Sequence, residues 1–174
     1  MRLTIRPAQI TDIGAIQKIY SYYVLHGFAS FEIVPPSESE MLERWRLING
    51  RGHPYLVALK ENTLLGYAYA TNFRHSEAYD HTLENSVYVS AEHLEKGVGV
   101  SLLEELIENC ISLGIRQLIA VIGDSKNYPS IRLHNKCGFQ QVGVLPSTGF
   151  KHGKWIDTVL MQRSLGEGAK SPPN

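Results

Sequence analysis

The stretch that decides the fold is residues 84–106, which read ENSVYVSAEHLEKGVGVSLLEEL. An apolar strand at Ser86–Val89 is followed by a polar turn, then by Gly97 and Gly99, then by an amphipathic helix. The first amides of such a helix have no partner within it, and the helix dipole adds partial positive charge, so the turn is a candidate phosphate site. Glycine also lets an anion approach the backbone. Two glycines at this spacing also occur for packing, so this pattern alone leaves both interpretations open.

The composition is that of one globular domain and narrows the class of partner. The chain has 174 residues, with 17 basic and 17 acidic side chains. We therefore expect no nucleic-acid or membrane-surface partner, because both favour a basic field. No apolar run is long enough for a membrane span, and the first residues do not resemble a secretory signal. Cys110 and Cys137 are not spaced as a redox or zinc motif, which predicts reduced thiols in the cytoplasm.

The hydrophobic pattern predicts an α/β fold with a mixed central sheet of about seven strands and about four flanking helices. Strands are predicted at residues 2–6, 55–59, 64–72, 81–89, 117–122, 139–145 and 155–162. Helices are predicted at residues 12–26, at 37–49, from the glycine turn to Gly114, and at 127–136. The unit at residues 84–122 should be a right-handed parallel crossover. We expect one domain over residues 1–163 and a flexible tail over 164–174.

Two motifs in this order resemble the GNAT acetyltransferase superfamily, over roughly residues 2–163. Residues 94–99 match the pyrophosphate motif of that family, Q/R-x-x-G-x-G/A, except that Leu94 stands where Gln or Arg is usual. The second family motif is N-x-x-S/A-x-x-x-Y-x-x-x-G-F. It is matched, with histidine in place of tyrosine, by Asn127, Ser130, His134, Gly138 and Phe139. The resemblance implies a GNAT-like fold and acetyl-CoA as co-substrate. The histidines other than His134 have no ligand-type spacing to one another or to cysteine, which predicts no metal.

A narrower resemblance is to the phosphinothricin and methionine sulfoximine N-acetyltransferases. It rests on ENSVYV at 84–89, AVIGDSKNYPSIRLHNKCGF at 120–139, GFKHGKW at 149–155, ASFE at 29–32 and NFR at 72–74. The resemblance implies acetyl transfer to the α-amine of a small amino acid such as phosphinothricin, methionine sulfoximine or methionine sulfone. The deprotonated amine would attack the thioester directly. A herbicide- or antibiotic-resistance role and a homodimer are implied as well.

Two side chains are candidates for the proton transfers. An amino-acid amine is mostly protonated near neutral pH, so its attack requires a base, and the thiolate leaving group can take a proton from an acid. Glu84 matches the position of the general base in this branch; the alternative is a solvated carboxylate or a partner of Arg74. His134 stands where many relatives have a tyrosine that protonates the sulfur of coenzyme A. The alternative for His134 is a packed, hydrogen-bonded core histidine.

The remaining candidates would bind the two substrates. Backbone and side-chain groups expected to bind acetyl-CoA are Val87, Tyr88, Val89, Glu95, Lys96, Gly97, Val98, Gly99, Val100, Asn127 and Ser130. Arg74 is expected to bind the α-carboxylate of the acceptor, because a guanidinium matches a carboxylate bidentately. Side chains that could wall or close the acceptor site are Phe31, Tyr79, Lys151 and Trp155. Each of these four has a surface or core alternative, and Asn127 could act as a helix N-cap without any ligand.

Other functions remain open from the sequence. The acceptor could be a protein N-terminus, a polyamine or an aminoglycoside, although a polyamine site should be lined by carboxylates. The chain could be an acyl-CoA-binding regulatory domain without catalysis, or a nucleotide-binding module unrelated to acyl transfer. Arg74 favours an acid-bearing acceptor over a polyamine, and the presence of both Glu84 and His134 counts against a domain without catalysis. The nucleotide-binding alternative would require the match to the Asn127 motif to be accidental.

Overall fold

The structure is a computed structural model that describes residues 3–94 and 96–173, which form seven strands and four helices. The strands are β1 (Thr4–Pro7), β2 (Tyr55–Lys60), β3 (Thr63–Asn72), β4 (Thr82–Val89), β5 (Gln117–Gly123), β6 (Gln140–Lys151) and β7 (Lys154–Ser164). The helices are α1 (Ile13–His26), α2 (Glu38–Gly50), α3 (Val98–Ser112) and α4 (Tyr128–Lys136). The α/β plan predicted from the sequence is confirmed.

The sheet has the order β1-β2-β3-β4-β5-β7-β6. Within the described residues β4 and β5 form the one parallel pair, and every other neighbouring pair is antiparallel. The β4–α3–β5 connection is therefore a crossover, as the pattern of residues 84–122 predicts. This single parallel pair places the glycine turn before α3 beside the ends of both strands.

The two faces of the sheet bury separate cores. On one face, α3 and α4 pack over a core whose largest buried side chains include Leu102, Leu103 and Leu106, each fully buried. Truncating any of these leucines to alanine should cost about 2–5 kcal/mol of unfolding free energy. On the other face, α1 and α2 cover a core rich in tyrosine, with Tyr20, Tyr55, Tyr67, Tyr69 and Tyr88 in contact.

The central feature of the sheet is the point where β4 and β5 separate. Their pairing runs from Thr82–Gln117 to Asn85–Ala120 and stops there. Beyond that point β4 continues to Val89, paired with β3 alone, and β5 continues to Gly123, paired with β7 alone. A wedge-shaped gap therefore opens between the two strands at their carboxyl ends.

The last hairpin and the tail differ from the sequence prediction. The prediction ends the sixth strand at residue 145, but β6 runs on to Lys151 through a register shift between Leu145 and Gly149. Pro146 has no amide proton to donate. It is tolerated because β6 is an edge strand and because the register shift leaves this position without a pairing partner that would need that donor.

The sequence also predicts a flexible tail from residue 164, but Leu165 is 1% exposed. Arg116 holds the following residues by donating to the carbonyls of Gly168 and Pro172.

Three further observations concern thiols, membranes and metals. Cys110 and Cys137 are buried and free, as the sequence predicts. In the part of the chain that the structure describes, no helix has the length and apolar character needed to cross a membrane. Across the same residues, no three side chains of the His, Cys, Asp or Glu type come together as a potential metal site.

Candidate active site

A cleft of about 740 Å³ fills the gap between β4 and β5. Its two long walls are residues 85–89 and 120–123, and Tyr23 and Ala29 contribute from the α1 side. Predicted site residues that line it are Val87, Tyr88, Val89, Gly97, Val98, Gly99, Val100, Asn127, Ser130 and His134. Lys96 is exposed beside the cleft, and its ammonium donates to the carbonyl of Glu92 at 3.2 Å. Glu95, also predicted to bind the cofactor, lies outside the described residues.

The exposed edge of β4 offers unpaired backbone groups to the cleft. The amide of Ser90 donates to the carbonyl of Leu65 at 2.7 Å, so this position on the β3–β4 ladder is a hydrogen-bonded pair. Because such pairs alternate along an antiparallel ladder, the backbone of Tyr88 also faces β3, and those of Val87 and Val89 face the cleft. Val87 and Val89 thus have the geometry predicted for binding an extended ligand. Tyr88 instead contributes its side chain, which packs in the tyrosine core.

The two glycines of the turn before α3 have different structural reasons. Gly97 is the N-cap and has φ +80°, a left-handed conformation that favours glycine. No side chain caps α3, so among the described residues its first amides are free to bind an anion. Gly99 has a packing role, because a Cβ there would lie 3.3 Å from a methyl carbon of Leu133 on α4. The structure therefore supports both interpretations that the sequence leaves open, one for each glycine.

Asn127 and Ser130 form the start of α4 at the far wall of the cleft. The side-chain oxygen of Asn127 accepts from the amide of Ser130 at 3.3 Å, and its amide donates to the carbonyl of Gly123 at 3.3 Å. This is the N-cap arrangement of the alternative interpretation. It fixes the direction in which α4 leaves β5, and hence the width of the cleft.

His134 is held by hydrogen bonds at both ring nitrogens. Nδ1 lies 2.8 Å from the carbonyl oxygen of Ser130, which can only accept, so we infer that Nδ1 carries the proton. Nε2 lies 2.9 Å from the side-chain nitrogen of Asn85 and accepts from it. Burial lowers the pKa of His134, which the Ser130 carbonyl partly offsets. The imidazole is therefore neutral near pH 7, the arrangement of a packed, hydrogen-bonded histidine.

Glu84 lies on the opposite face of β4, one residue before the strands separate. Its carboxyl is half-buried, and burial raises its pKa, while the nearby Arg74 guanidinium lowers it to a smaller extent. Arg74 is exposed, donates to the carbonyl of Phe73 at 2.8 Å and stacks over the Phe73 ring at 4.1 Å. The structure thus brings the predicted base and the predicted carboxylate-binding residue into electrostatic contact.

Comparison with known proteins identifies the family. The model of the acetyltransferase (GNAT) family matches residues 17–139, which is most of the chain. The protein belongs to the GNAT acetyltransferases.

Individual members resemble the chain over nearly its full length. It is 51% identical to a phosphinothricin N-acetyltransferase of Alcaligenes faecalis, over 98% of this chain and 86% of that protein. It is 35% identical to an L-methionine sulfoximine/L-methionine sulfone acetyltransferase of Salmonella typhimurium, over 96% and 97% of the two chains. A crystal structure of a phosphinothricin acetyltransferase from Sinorhizobium meliloti with acetyl-CoA superposes with a TM-score of 0.96 at 47% identity, covering 100% of this chain and 94% of that one. The resemblance proposed from the motifs is confirmed.

The four other residues predicted to form the acceptor site of this acetyltransferase do not lie together. Tyr79 packs edge-on against Phe73, beside Arg74. Phe31 is 39% exposed and covers Gly149, where a Cβ would lie 2.7 Å from the ring. Lys151 is 2% exposed, and its ammonium donates to the carbonyl of Ser30 at 2.7 Å. Trp155 is 68% exposed on the outer side of the hairpin, against Phe150.

Several residues of the site in this acetyltransferase were not predicted from the sequence. Asn85 orients His134, and its side-chain oxygen is buried without a partner among the described residues. The Tyr23 hydroxyl donates to the carbonyl of Val89 at 2.5 Å and so reaches the cleft edge of β4. Tyr23 belongs to the apolar face of α1, where it is expected to serve the core. The available signal was its hydroxyl, since a buried tyrosine hydroxyl usually has a hydrogen-bond partner.

Proposed function

We propose that this protein transfers the acetyl group of acetyl-CoA to the α-amine of a small amino acid of the phosphinothricin or methionine sulfoximine/sulfone type. The observation that carries the proposal is the position of Glu84, a half-buried carboxyl beside the point where β4 and β5 separate and near enough to Arg74 for that charge to lower its pKa. A base and a cation for a carboxylate then stand together beside a cleft with free backbone amides. The substrates named for the relatives support the same acceptor class.

The residues of the cleft fit acetyl-CoA. The backbone of Val87 and the amide of Val89 can pair with an extended arm, as one strand pairs with another, while the Val89 carbonyl already accepts from Tyr23. The free first amides of α3, behind Gly97, fit a pyrophosphate, and the adjacent Lys96 can offset its charge. Val98, Gly99 and Val100 follow in the first turn of α3, and Asn127 and Ser130 form the far wall. Glu95 is proposed from the sequence motif alone. When bound, acetyl-CoA supplies a thioester carbonyl carbon that an amine can attack.

Glu84 is the proposed general base. The ammonium group of the acceptor gives one proton to the Glu84 carboxylate, directly or through a water, and the neutral nitrogen then forms the new bond to the acetyl carbon. As the carbon–sulfur bond breaks, the second proton of that nitrogen goes to the departing thiolate, which leaves the amide and the free thiol. A raised carboxyl pKa suits this role, because it brings the basicity of Glu84 closer to that of the amine.

His134 is a positioning residue in this mechanism. Its Nδ1 proton is engaged by the carbonyl of Ser130, and its Nε2 accepts from Asn85, so neither nitrogen has a proton free to donate to sulfur. The imidazole fixes Asn85 at the point where β4 leaves β5. We therefore place the catalytic proton transfer on the Glu84 face of the strand.

Arg74 is proposed to bind the α-carboxylate of the acceptor. Its guanidinium is exposed and its recorded hydrogen bond uses one nitrogen, which leaves donors for a bidentate contact. Phe31 and Tyr79 are the proposed apolar walls. Trp155 is exposed and packs on Phe150 at the hairpin, so we do not assign it to this site in a single chain. A cationic polyamine would meet like charge at Arg74, which disfavours that alternative.

The experiment that tests the function is a thiol-release assay with acetyl-CoA and a panel of acceptors. The panel contains phosphinothricin, methionine sulfoximine, methionine sulfone, methionine, glutamate, spermidine and a peptide with a free N-terminus. We expect turnover confined to the small amino acids and, in Arg74→Ala, a KM for them raised by about 10- to 100-fold. The matched control is Arg46→Ala, which removes an exposed arginine of α2. Turnover of spermidine or the peptide alone would contradict the acceptor class, and failure to bind acetyl-CoA would overturn the function.

A homodimer in the cytoplasm is part of the proposal. β6 is the edge of the sheet and exposes Val142, Val144, Leu145 and Phe150, and Trp155 follows on β7. A long apolar edge strand favours pairing, and two copies related by a two-fold axis can pair the same strand. Light scattering should give twice the chain mass, and a monomer with full activity would contradict the dimer.

The proposed location in the cytoplasm rests on the two free thiols, which are consistent with a reducing compartment.

A further inference from the structure

The loop that joins α1 to α2, residues 27–37, is held in place from several sides. On the cleft side it touches the end of β5, because a Cβ at Gly123 would overlap the carbonyl oxygen of Phe28 at 2.0 Å. Ala29, in the same loop, lines the cleft together with Gly123. On the hairpin side the Phe31 ring covers Gly149. Two glycines, one on β5 and one on β6, thus allow the loop to pack closely on this side of the sheet.

Glu32 anchors the loop to the two helices on either side of it. One carboxylate oxygen of Glu32 accepts from the Tyr20 hydroxyl at 2.7 Å and from Arg44 at 2.6 Å, and the other accepts from Arg44 at 3.1 Å. The Ser30 hydroxyl joins this network through Tyr20 at 2.9 Å and through the amide of Glu32 at 3.1 Å. Arg44 and Tyr20 therefore satisfy the charge and the hydrogen bonds of Glu32.

Lys151 anchors the loop to β6. Its ammonium donates to the carbonyl of Ser30, and its charge is close enough to that of Glu32 for the two to interact. An ammonium that is almost fully buried is costly unless it is well bound, so this contact must contribute to the position of the loop. Within the described residues Lys151 has no carboxylate in salt-bridge contact. Its firm attachment to a backbone carbonyl does not fit a side chain that closes over the acceptor.

We propose that Lys151 is a positioning residue that fixes the 27–37 loop against the end of β5 and thereby sets which acceptors the site admits. The part of this inference that concerns acceptor specificity rests on the proposed function. Glu32 accepts from the Tyr20 hydroxyl, and the Tyr20 ring packs edge-on against Tyr88 with the ring centroids 5.2 Å apart. Because side chains alternate along a strand, Tyr88 lies on the same face of β4 as Glu84, so the anchored loop and the proposed base meet one tyrosine cluster. A shift of the loop would therefore change the space on the Glu84 face and leave the α3 turn on the other face unchanged.

The test compares Lys151→Met with Lys154→Met, which removes an exposed lysine of the same hairpin. For Lys151→Met we expect faster hydrogen exchange at residues 27–37 and an acceptor KM raised about tenfold or more, unequally for phosphinothricin and methionine sulfone. The dissociation constant for acetyl-CoA should change less than the acceptor KM, because the loop reaches the cleft only at Ala29 and does not form the turn before α3. Lys151→Arg should recover part of the loss. Gly149→Ala, which displaces the Phe31 ring without removing a charge, should give the same pattern.

Two outcomes would overturn the proposal. Exchange and acceptor KM in Lys151→Met that match Lys154→Met would show that Lys151 does not position the loop. An equal weakening of acetyl-CoA and acceptor binding would show general damage to the fold in place of a specific effect. If the unmodified protein acetylates no amino acid, the proposed function fails, but the exchange measurement still decides whether Lys151 holds the loop.

Discussion

The two faces of β4 are built in different ways. On the α3/α4 face, the proposed cofactor side consists of strand edges, two glycines and a helix N-cap within residues 85–138. On the α1/α2 face, the proposed acceptor side is built from side chains, and the Lys151–Ser30 contact joins residues 121 positions apart. A backbone site can tolerate many side-chain changes, whereas a side-chain site can be retuned by one. The difference places acceptor selectivity on the second face.

The largest expected effect is on the acceptor face, at Glu84. Replacing Glu84 with Gln removes the proposed base and should lower kcat by about 10²–10³-fold, because general-base catalysis contributes on this order. Acetyl-CoA affinity should be unchanged, since Glu84 lies on the other face from the backbone edge. The measurement is steady-state kinetics together with calorimetric binding of acetyl-CoA. Glu77→Gln, at an exposed position, is the control.

The pH dependence of the rate sharpens this prediction. Burial raises the pKa of Glu84 above the ordinary value of 4.5, so the rate should fall, as pH decreases, at a higher pH than for an ordinary carboxyl. Arg74 lowers that pKa, so Arg74→Ala should move the acid limb of kcat to still higher pH. If kcat of Glu84→Gln still falls at low pH in the same way, another group is the base. The chemistry would then not be placed on the Glu84 face of β4.

How far the sequence predicted each face follows from the same difference. The cofactor side was predicted well because the strand, the glycine turn and the helix are contiguous in residues 84–106. Lys151 was predicted as a side chain that closes over the acceptor, with a surface or core position as the alternative, and the sequence did not distinguish these. Only the register of β6 against β7, with its shift after Leu145, brings Lys151 under Ser30. Such long-range placement has no local signal in a single sequence.

A second prediction concerns Gly97 on the cofactor face. Alanine there would occupy open space but would have to adopt φ +80°, at a cost of about 1–2 kcal/mol. We expect the turn to relax and the dissociation constant for acetyl-CoA to rise about tenfold, as about 1.4 kcal/mol implies. The acceptor KM should not change, the reverse of the pattern expected for Lys151→Met. Gly50→Ala, at a helix position with open space and no positive φ, is the control. Equal changes in both constants would contradict the separation of the faces.

The smallest expected effect is the contribution of His134 to the pH dependence of stability. Its pKa in the folded protein is lowered from 6.5 by burial, so below about pH 6.5 the unfolded chain binds a proton that the folded chain resists. Stability is therefore unaffected by this group above about pH 6.5 and is lost progressively as pH falls from 6.5 through the lower pKa of the folded protein. His134→Gln should flatten the fall in melting temperature on acidification, relative to the exposed-site control His75→Gln. The fall of kcat at low pH should be the same in His134→Gln as in the unmodified protein, because we assign it to Glu84. Both nitrogens of the His134 ring are engaged by Asn85 and Ser130. If the acid limb instead disappears with His134 and the melting curve keeps its slope, then His134 is the titrating catalyst and the chemistry lies on the cofactor face.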